Sequence, residues 1–122
     1  MNKKLLSSLV LSMGLAFAGL AQAAVPVKSG GALVDAHGRT LYTFDKDSAG
    51  KSACNGPCAS MWPPALATAN DAPSGDFSLV SRDDGSKQWA YQGKPVYTYK
   101  KDMKTGDANG DNFKDVWHAV KP

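Results

Sequence analysis

Sliding the chain along itself by 55 residues lays "GRTLYTFDKD" (38–47) over "GKPVYTYKKD" (93–102), so that Gly38, Tyr42, Thr43, Lys46 and Asp47 meet Gly93, Tyr97, Thr98, Lys101 and Asp102. The same shift, without a gap, brings Trp62 onto Trp117. Self-similarity of this kind means two copies of one supersecondary plan, and copies of about 45 to 50 residues are each too small to hold a core alone. The copies, about 25–67 and about 80–122, are therefore expected to pack together about a pseudo-twofold axis as one domain.

Each copy opens as hairpins. "ALVDA-HG-RTLYTF" and "KQWAY-QG-KPVYTY" are β-rich runs separated by two residues that end in glycine, which suits a tight turn with positive φ. In that register Ala36 faces Arg39 and Tyr91 faces Lys94. Pro95 then falls opposite Ala90, where the sheet does not need its missing N–H, which places a sheet edge there. Upstream, "FSLVSRDDGSKQWAY" adds another strand and turn, and "VPVKSGGALV" occupies the corresponding place in the first copy. All 11 acidic residues are Asp, a turn and cap residue, and Glu, a helix former, is absent. The expectation is an all-β fold: a compact single domain of antiparallel hairpins, with at most short helical turns around Cys58 to Met61.

Residues 1–23 carry Lys3 and Lys4, an apolar run of about 16 residues and small residues at 21 and 23 around Gln22, the pattern of a secretory signal peptide rather than of a membrane span. A mature chain from Ala24 to Pro122 is expected, periplasmic or secreted, with no transmembrane segment. Without the signal the chain has 12 basic and 11 acidic residues, a net charge of +1. No lysine or arginine cluster follows a phosphate backbone, so no nucleic-acid partner is expected.

The duplicated Tyr-x-aromatic-x-x-Asp has a structural reading. Tyr42 and Phe44 share one strand face, as do Tyr97 and Tyr99, and paired aromatics on one face are core elements. Asp47 and Asp102, just past the strand ends, are placed to accept backbone N–H groups and fix the exit turn. Trp62 and Trp117 are expected to be buried and to anchor the halves to each other. A ligand-binding aromatic groove is the functional alternative. "LYTFDKD", "CNGPCASMWPP" and "VYTYKKD…VWHAVKP" together resemble the bacterial secreted-repeat family described as predicted lipoproteins with a Yx(FWY)xxD motif. The resemblance spans nearly the whole mature chain and implies an exported protein without implying an activity. This chain departs from the lipoprotein label, since no cysteine near the cleavage point is available to accept a lipid.

Cys54 and Cys58, the only cysteines, invite several chemistries. Their spacing is one residue longer than the Cys-x-x-Cys of a thioredoxin-type site, and Ala59 stands where haem attachment needs histidine. Zinc would need two more ligands, and His37 and His118 are the only histidines; copper could draw on Met61 or Met103, but nothing clusters them in sequence. A disulfide needs only Cα atoms within about 7 Å, which the Gly56-Pro57 bend permits, and the oxidising compartment favours it. The structural staple is the favoured reading.

In the second copy the ungapped shift sets Cys54 on Asn109 and Cys58 on Phe113. There Asp107, Asn109 and Asp111 alternate as at the start of a calcium loop, but Asn112 replaces the glycine and His118 stands where a bidentate Glu belongs. An Asx-turn network is the favoured reading, with weak cation binding as the alternative. No nucleophile elbow, phosphate-cradling loop or paired acid/base set is found, so no enzyme and no cofactor is expected. The expected function is a non-catalytic module that binds an envelope protein or a small ligand. The alternative is a periplasmic redox or metal-handling protein using Cys54/Cys58 or a weak cation site at Asp107, Asn109 and Asp111.

Overall fold

The computed structural model describes residues 25–68 and 70–122; the expected export signal at 1–23 lies outside the described residues. Among the described residues the regular structure is short antiparallel strands: β1 Val27–Ser29, β2 Ala32–Val34, β3 Tyr42–Phe44, β4 Phe77–Ser81, β5 Lys87–Tyr91, β6 Lys94–Pro95 and β7 Trp117–Ala119. One α-helix of five residues, α1 (Pro57–Met61), begins with proline, whose missing N–H is an orphan at a helix start in any case. No described helix is long and apolar enough to cross a membrane.

The second hairpin follows the turn chemistry of its sequence. β5 and β6 pair Tyr91 with Lys94 and Ala90 with Pro95, and the loop residues Gln92 and Gly93 both have positive φ, 50° and 83°. That is a type I′ turn, whose twist matches the strands. The three-stranded sheet runs β4-β5-β6, so Pro95 lies on an outer strand.

The first hairpin differs from the expectation. Asp35 N–H donates to Arg39 O at 2.9 Å, so Asp35, not Ala36, closes the loop against Arg39, and the turn holds three residues. The cause is the Asp35 carboxylate, whose Oδ1 accepts the N–H groups of both His37 and Arg39 at 2.9 Å and holds the wider turn. Gly38, at φ 82°, is required twice over, since a Cβ there would stand 2.8 Å from Thr105 Oγ1.

The copies do not fold side by side; they interlock. β3 of the first copy pairs with β7 of the second, Tyr42 opposite Ala119 and Phe44 opposite Trp117. Reciprocally, the end of the first copy lies against the second hairpin, with Pro64 bridged to Tyr97 and Leu66 to Gln88. Where the three chain segments of each half meet, their backbones close a ring of hydrogen bonds. Leu33 N–H donates to Val120 O (3.1 Å), Val120 N–H to Leu41 O (2.9 Å) and Leu41 N–H to Leu33 O (2.9 Å). The second half repeats it with Trp89 to Ala65 (2.8 Å), Ala65 to Val96 (3.1 Å) and Val96 to Trp89 (3.0 Å). On the pseudo-twofold axis Tyr42 and Tyr97 face each other and exchange two backbone hydrogen bonds, 2.8 and 2.9 Å.

The core has two parts. One gathers Leu33, Leu41, Ala65, Trp89, Tyr91 and Val96; the other gathers Tyr42, Cys54, Trp62, Tyr97, Tyr99 and Trp117. Trp89 is fully buried with its Nε1 unpartnered among the described residues. The apolar area of its ring, at about 25 cal/mol per Å² over some 200 Å², contributes roughly 5 kcal/mol and outweighs the roughly 1–3 kcal/mol cost of the unmade bond.

Candidate functional site

The motif tyrosines point off the sheet toward the pseudo-axis, and each reaches the aspartate of the other copy. Tyr42 OH donates to Asp102 Oδ2 at 2.5 Å, and Tyr97 OH donates to Asp47 Oδ2 at 2.6 Å. The second oxygen of each carboxylate holds a loop: Asp102 Oδ1 accepts Asn109 N–H at 2.8 Å, and Asp47 Oδ1 accepts Ala53 N–H at 2.6 Å. Burial, reinforced by the carboxylate, pushes both tyrosine hydroxyls well above their ordinary value of 10.0, so they stay proton donors. Burial also raises Asp47, against the lowering effect of its bond from Tyr97. Each motif is thus half of two crossed clasps.

The same crossing orders the rings. Phe44 stacks on Trp117 (4.2 Å), Trp117 on Trp62 (3.9 Å, planes 3° apart) and Trp62 on Tyr99 (4.1 Å), a four-ring column whose midpoint is the pseudo-axis. Tyr42 and Tyr97 close it edge-on against Trp62 and Trp117 at 5.3 and 5.2 Å. Trp62 and Trp117 are both buried, 3% and 4% exposed. At the second copy's end Phe113 lies against Tyr99 and Trp62, 6.1 and 5.8 Å away.

Cys54 and Cys58 are joined, with Cα atoms 5.3 Å apart, Cys54 fully buried in the aromatic cluster. The second half solves the same problem differently, and the counterpart of Cys54 is not Asn109. Because the clasp carboxylates hold Ala53 in one half and Asn109 in the other, Cys54 corresponds to Gly110, the second loop being one residue longer. Gly110 presses its backbone on the column, so close that a Cβ would meet Trp62 Cη2 at 2.5 Å.

The remaining candidates lie apart. Asp107 accepts the N–H groups of Met103 and Lys104, and Asp111 pairs with Lys121 and accepts Ala119 N–H. Asn109 Nδ2 donates to Lys101 O at 3.4 Å, so each of the three side chains is engaged in its own loop contacts. Among the described residues no three His, Cys, Asp or Glu side chains gather as metal ligands. His37 is exposed in its turn, while both ring nitrogens of His118 are bonded, to Asp45 Oδ2 (2.8 Å) and Asn112 Oδ1 (3.1 Å).

Sequence reasoning missed the buried Arg82. Its guanidinium donates to Gln88 Oε1 (2.8 Å), Cys54 O (2.8 Å), Ser52 Oγ (3.1 Å) and Asn55 Oδ1 (3.1 Å), tying the cysteine loop to the second copy. "SRDDGS" reads as an exposed polar turn, and no local signal marks one cation in it as buried.

Sequence reasoning also missed the surface beside the second hairpin turn. Two adjoining clefts, of about 230 and 330 Å³, share Thr43, Gln92 and Lys94. Phe44 and Pro95 wall the first, with Asp45 and Asp47; Tyr91, Val120 and Lys121 wall the second. The pseudo-equivalent cleft beside the first turn, under His37, Leu66 and Thr98, measures about 160 Å³.

A family model described as a secreted repeat of unknown function matches residues 23–66 and again 78–121. No curated protein and no solved structure matches the chain.

Proposed function

The chain belongs to this family of secreted repeats, and on that premise we propose that it works in the envelope or outside the cell as a non-catalytic binding module, delivered by residues 1–23 as a cleaved export signal. One observation carries the reading. The polar groups of the repeated motif, Tyr42, Tyr97, Asp47 and Asp102, are all used in holding the two copies together, so a partner must use the open surface, of which the two adjoining clefts beside the Gln92 turn are one part and a cleft of about 370 Å³ under Gly30, Thr40 and Thr105 another. Cys54 is fully buried and its carbonyl is gripped by Arg82, while Cys58 is partly exposed; the packing of the bridge into the aromatic cluster supports a staple over a redox centre.

The test is retention of envelope material by immobilised mature protein, comparing wild type with Lys94→Glu in the groove and His37→Ala at the opposite turn. Specific retention that Lys94→Glu abolishes and His37→Ala leaves intact supports the reading. Equal retention by all three proteins, or none by any, refutes it.

A further inference from the structure

The pseudo-twofold supplies an internal control for what each surface residue is needed for. Thr98 and Arg39, the counterparts of Thr43 and Lys94, are used inside the molecule: Thr98 Oγ1 donates to Pro63 O at 3.4 Å and Arg39 Nη1 to Asp102 O at 2.8 Å. Among the described residues no side-chain hydrogen bond engages Thr43, Gln92 or Lys94, the three residues that both clefts share. The aromatic column shows the same asymmetry. Its Tyr99 end is 5% exposed and lies against Phe113, whereas its Phe44 end is only half-buried and forms a wall of the cleft.

Gln92 adds a third observation. It sits at φ 50° in a type I′ turn, where Asn, Asp or Gly is the low-strain choice. Glutamine places its amide one methylene further out, where it lines both clefts, and it does so in a backbone region that side chains rarely adopt.

We infer that this groove binds a neutral oligosaccharide, with Phe44 as the platform for a sugar ring and Thr43, Gln92 and Lys94 as its hydrogen-bonding groups. The inference rests on the proposed binding function and names its ligand class. The charges lining the groove balance, Asp45 and Asp47 against Lys94 and Lys121, and Asp45, Asp47 and Lys121 are already paired internally. Such a surface does not select a strongly charged ligand. A hydroxyl, a primary amide and an ammonium supply the donors and acceptors that sugar hydroxyls require, and an aromatic wall suits the apolar C–H face of a pyranose. The two adjoining clefts together offer room for more than a single ring.

The experiment is ¹⁵N-HSQC titration of the mature protein with chitotetraose, cellotetraose and maltotetraose at millimolar concentration, beside a glycan array of neutral and N-acetylated oligosaccharides. Saturable shifts confined to Thr43, Phe44 and the 91–95 turn are expected with at least one neutral glycan. Gln92→Gly removes the amide and the backbone strain together, so the variant should melt at or above the wild-type temperature yet bind about tenfold more weakly, the loss of one or two hydrogen bonds. His37→Ala in the opposite turn should bind as wild type. Absence of any neutral glycan ligand while envelope material is still retained through Lys94 overturns this inference and leaves the binding reading standing. The same result follows if an acidic glycan or a peptide alone produces the shifts. Loss of groove-dependent retention altogether removes both.

Discussion

Changing Tyr42 to Phe deletes one oxygen that does two things, and the structure says how much each is worth. The hydroxyl donates to Asp102 at 2.5 Å and accepts Gly110 N–H at 3.2 Å, with Asp102 1% exposed. A buried hydrogen bond to a charged group contributes about 1.5–3 kcal/mol, and leaving the buried Gly110 N–H without an acceptor costs about 1–3 kcal/mol more. Tyr42→Phe should therefore destabilise by about 3–4 kcal/mol, which lowers the melting temperature by roughly 12–30 °C in a domain of this size. The mirror change, Tyr97→Phe, should cost less, about 1–2 kcal/mol. Asp47, unlike Asp102, is only half-buried, so water can replace the lost donor. Urea unfolding followed by near-UV circular dichroism measures both, and a double-mutant cycle of Tyr42→Phe with Asp102→Asn isolates the crossed pair, with a coupling of about 2 kcal/mol expected. Additivity within about 0.5 kcal/mol, or equal costs for the two tyrosines, would refute the crossed-clasp account.

Stability should fall at high pH: the folded tyrosines hold their protons above 10.0 while unfolded ones release them. The loss is about 1.4 kcal/mol per pH unit for each tyrosine, which Tyr42→Phe should halve in slope. Asp47 acts likewise in acid. Its folded pKa is raised, so its contribution is complete below 3.8 and declines as pH rises through the raised value, and Asp47→Asn should flatten the urea midpoint there. Gly110→Ala should cost about 3 kcal/mol, because Trp62 is held between Trp117 and Tyr99 and has no room to move; wild-type melting would mean the column slides. Residues 24–70 and 71–122 made as separate chains should each be unfolded and regain near-UV dichroism when mixed, whereas a dispersed NMR spectrum from either alone would contradict the interlocked strands. Replacing Cys54 and Cys58 by Ser should leave the fold intact and lower stability by about 2 kcal/mol, the entropy of so short a loop, read as a shift in urea midpoint.

The turn at Gln92-Gly93, the edge position of Pro95, the short helix after Gly56 and the all-β character are legible in the chain because each is set by chemistry within a few residues. The wider first turn was legible in principle from Asp35, but His37-Gly38 offers an equally local alternative, and only the carboxylate's two bonds choose between them. Arg82 and the groove at Thr43, Gln92 and Lys94 could not be found locally, because burial and openness there depend on segments about 30 to 50 residues away.

By itself, the sequence determined that there are two copies of one plan, that each is built from hairpins, and that aromatic pairs and an aspartate recur in both. It could not say which tyrosine meets which aspartate. A duplicated motif is symmetric in that choice: pairing within a copy and pairing across copies use the same residue types at the same spacing. Tertiary structure broke the tie. Once β7 lies on β3 and 64–67 on the second hairpin, Tyr42 and Tyr97 face each other on the axis, and the carboxylate within reach of each hydroxyl is the other copy's. The clasp is a long-range contact, decided by how the strands interlock and by no property of the residues that make it.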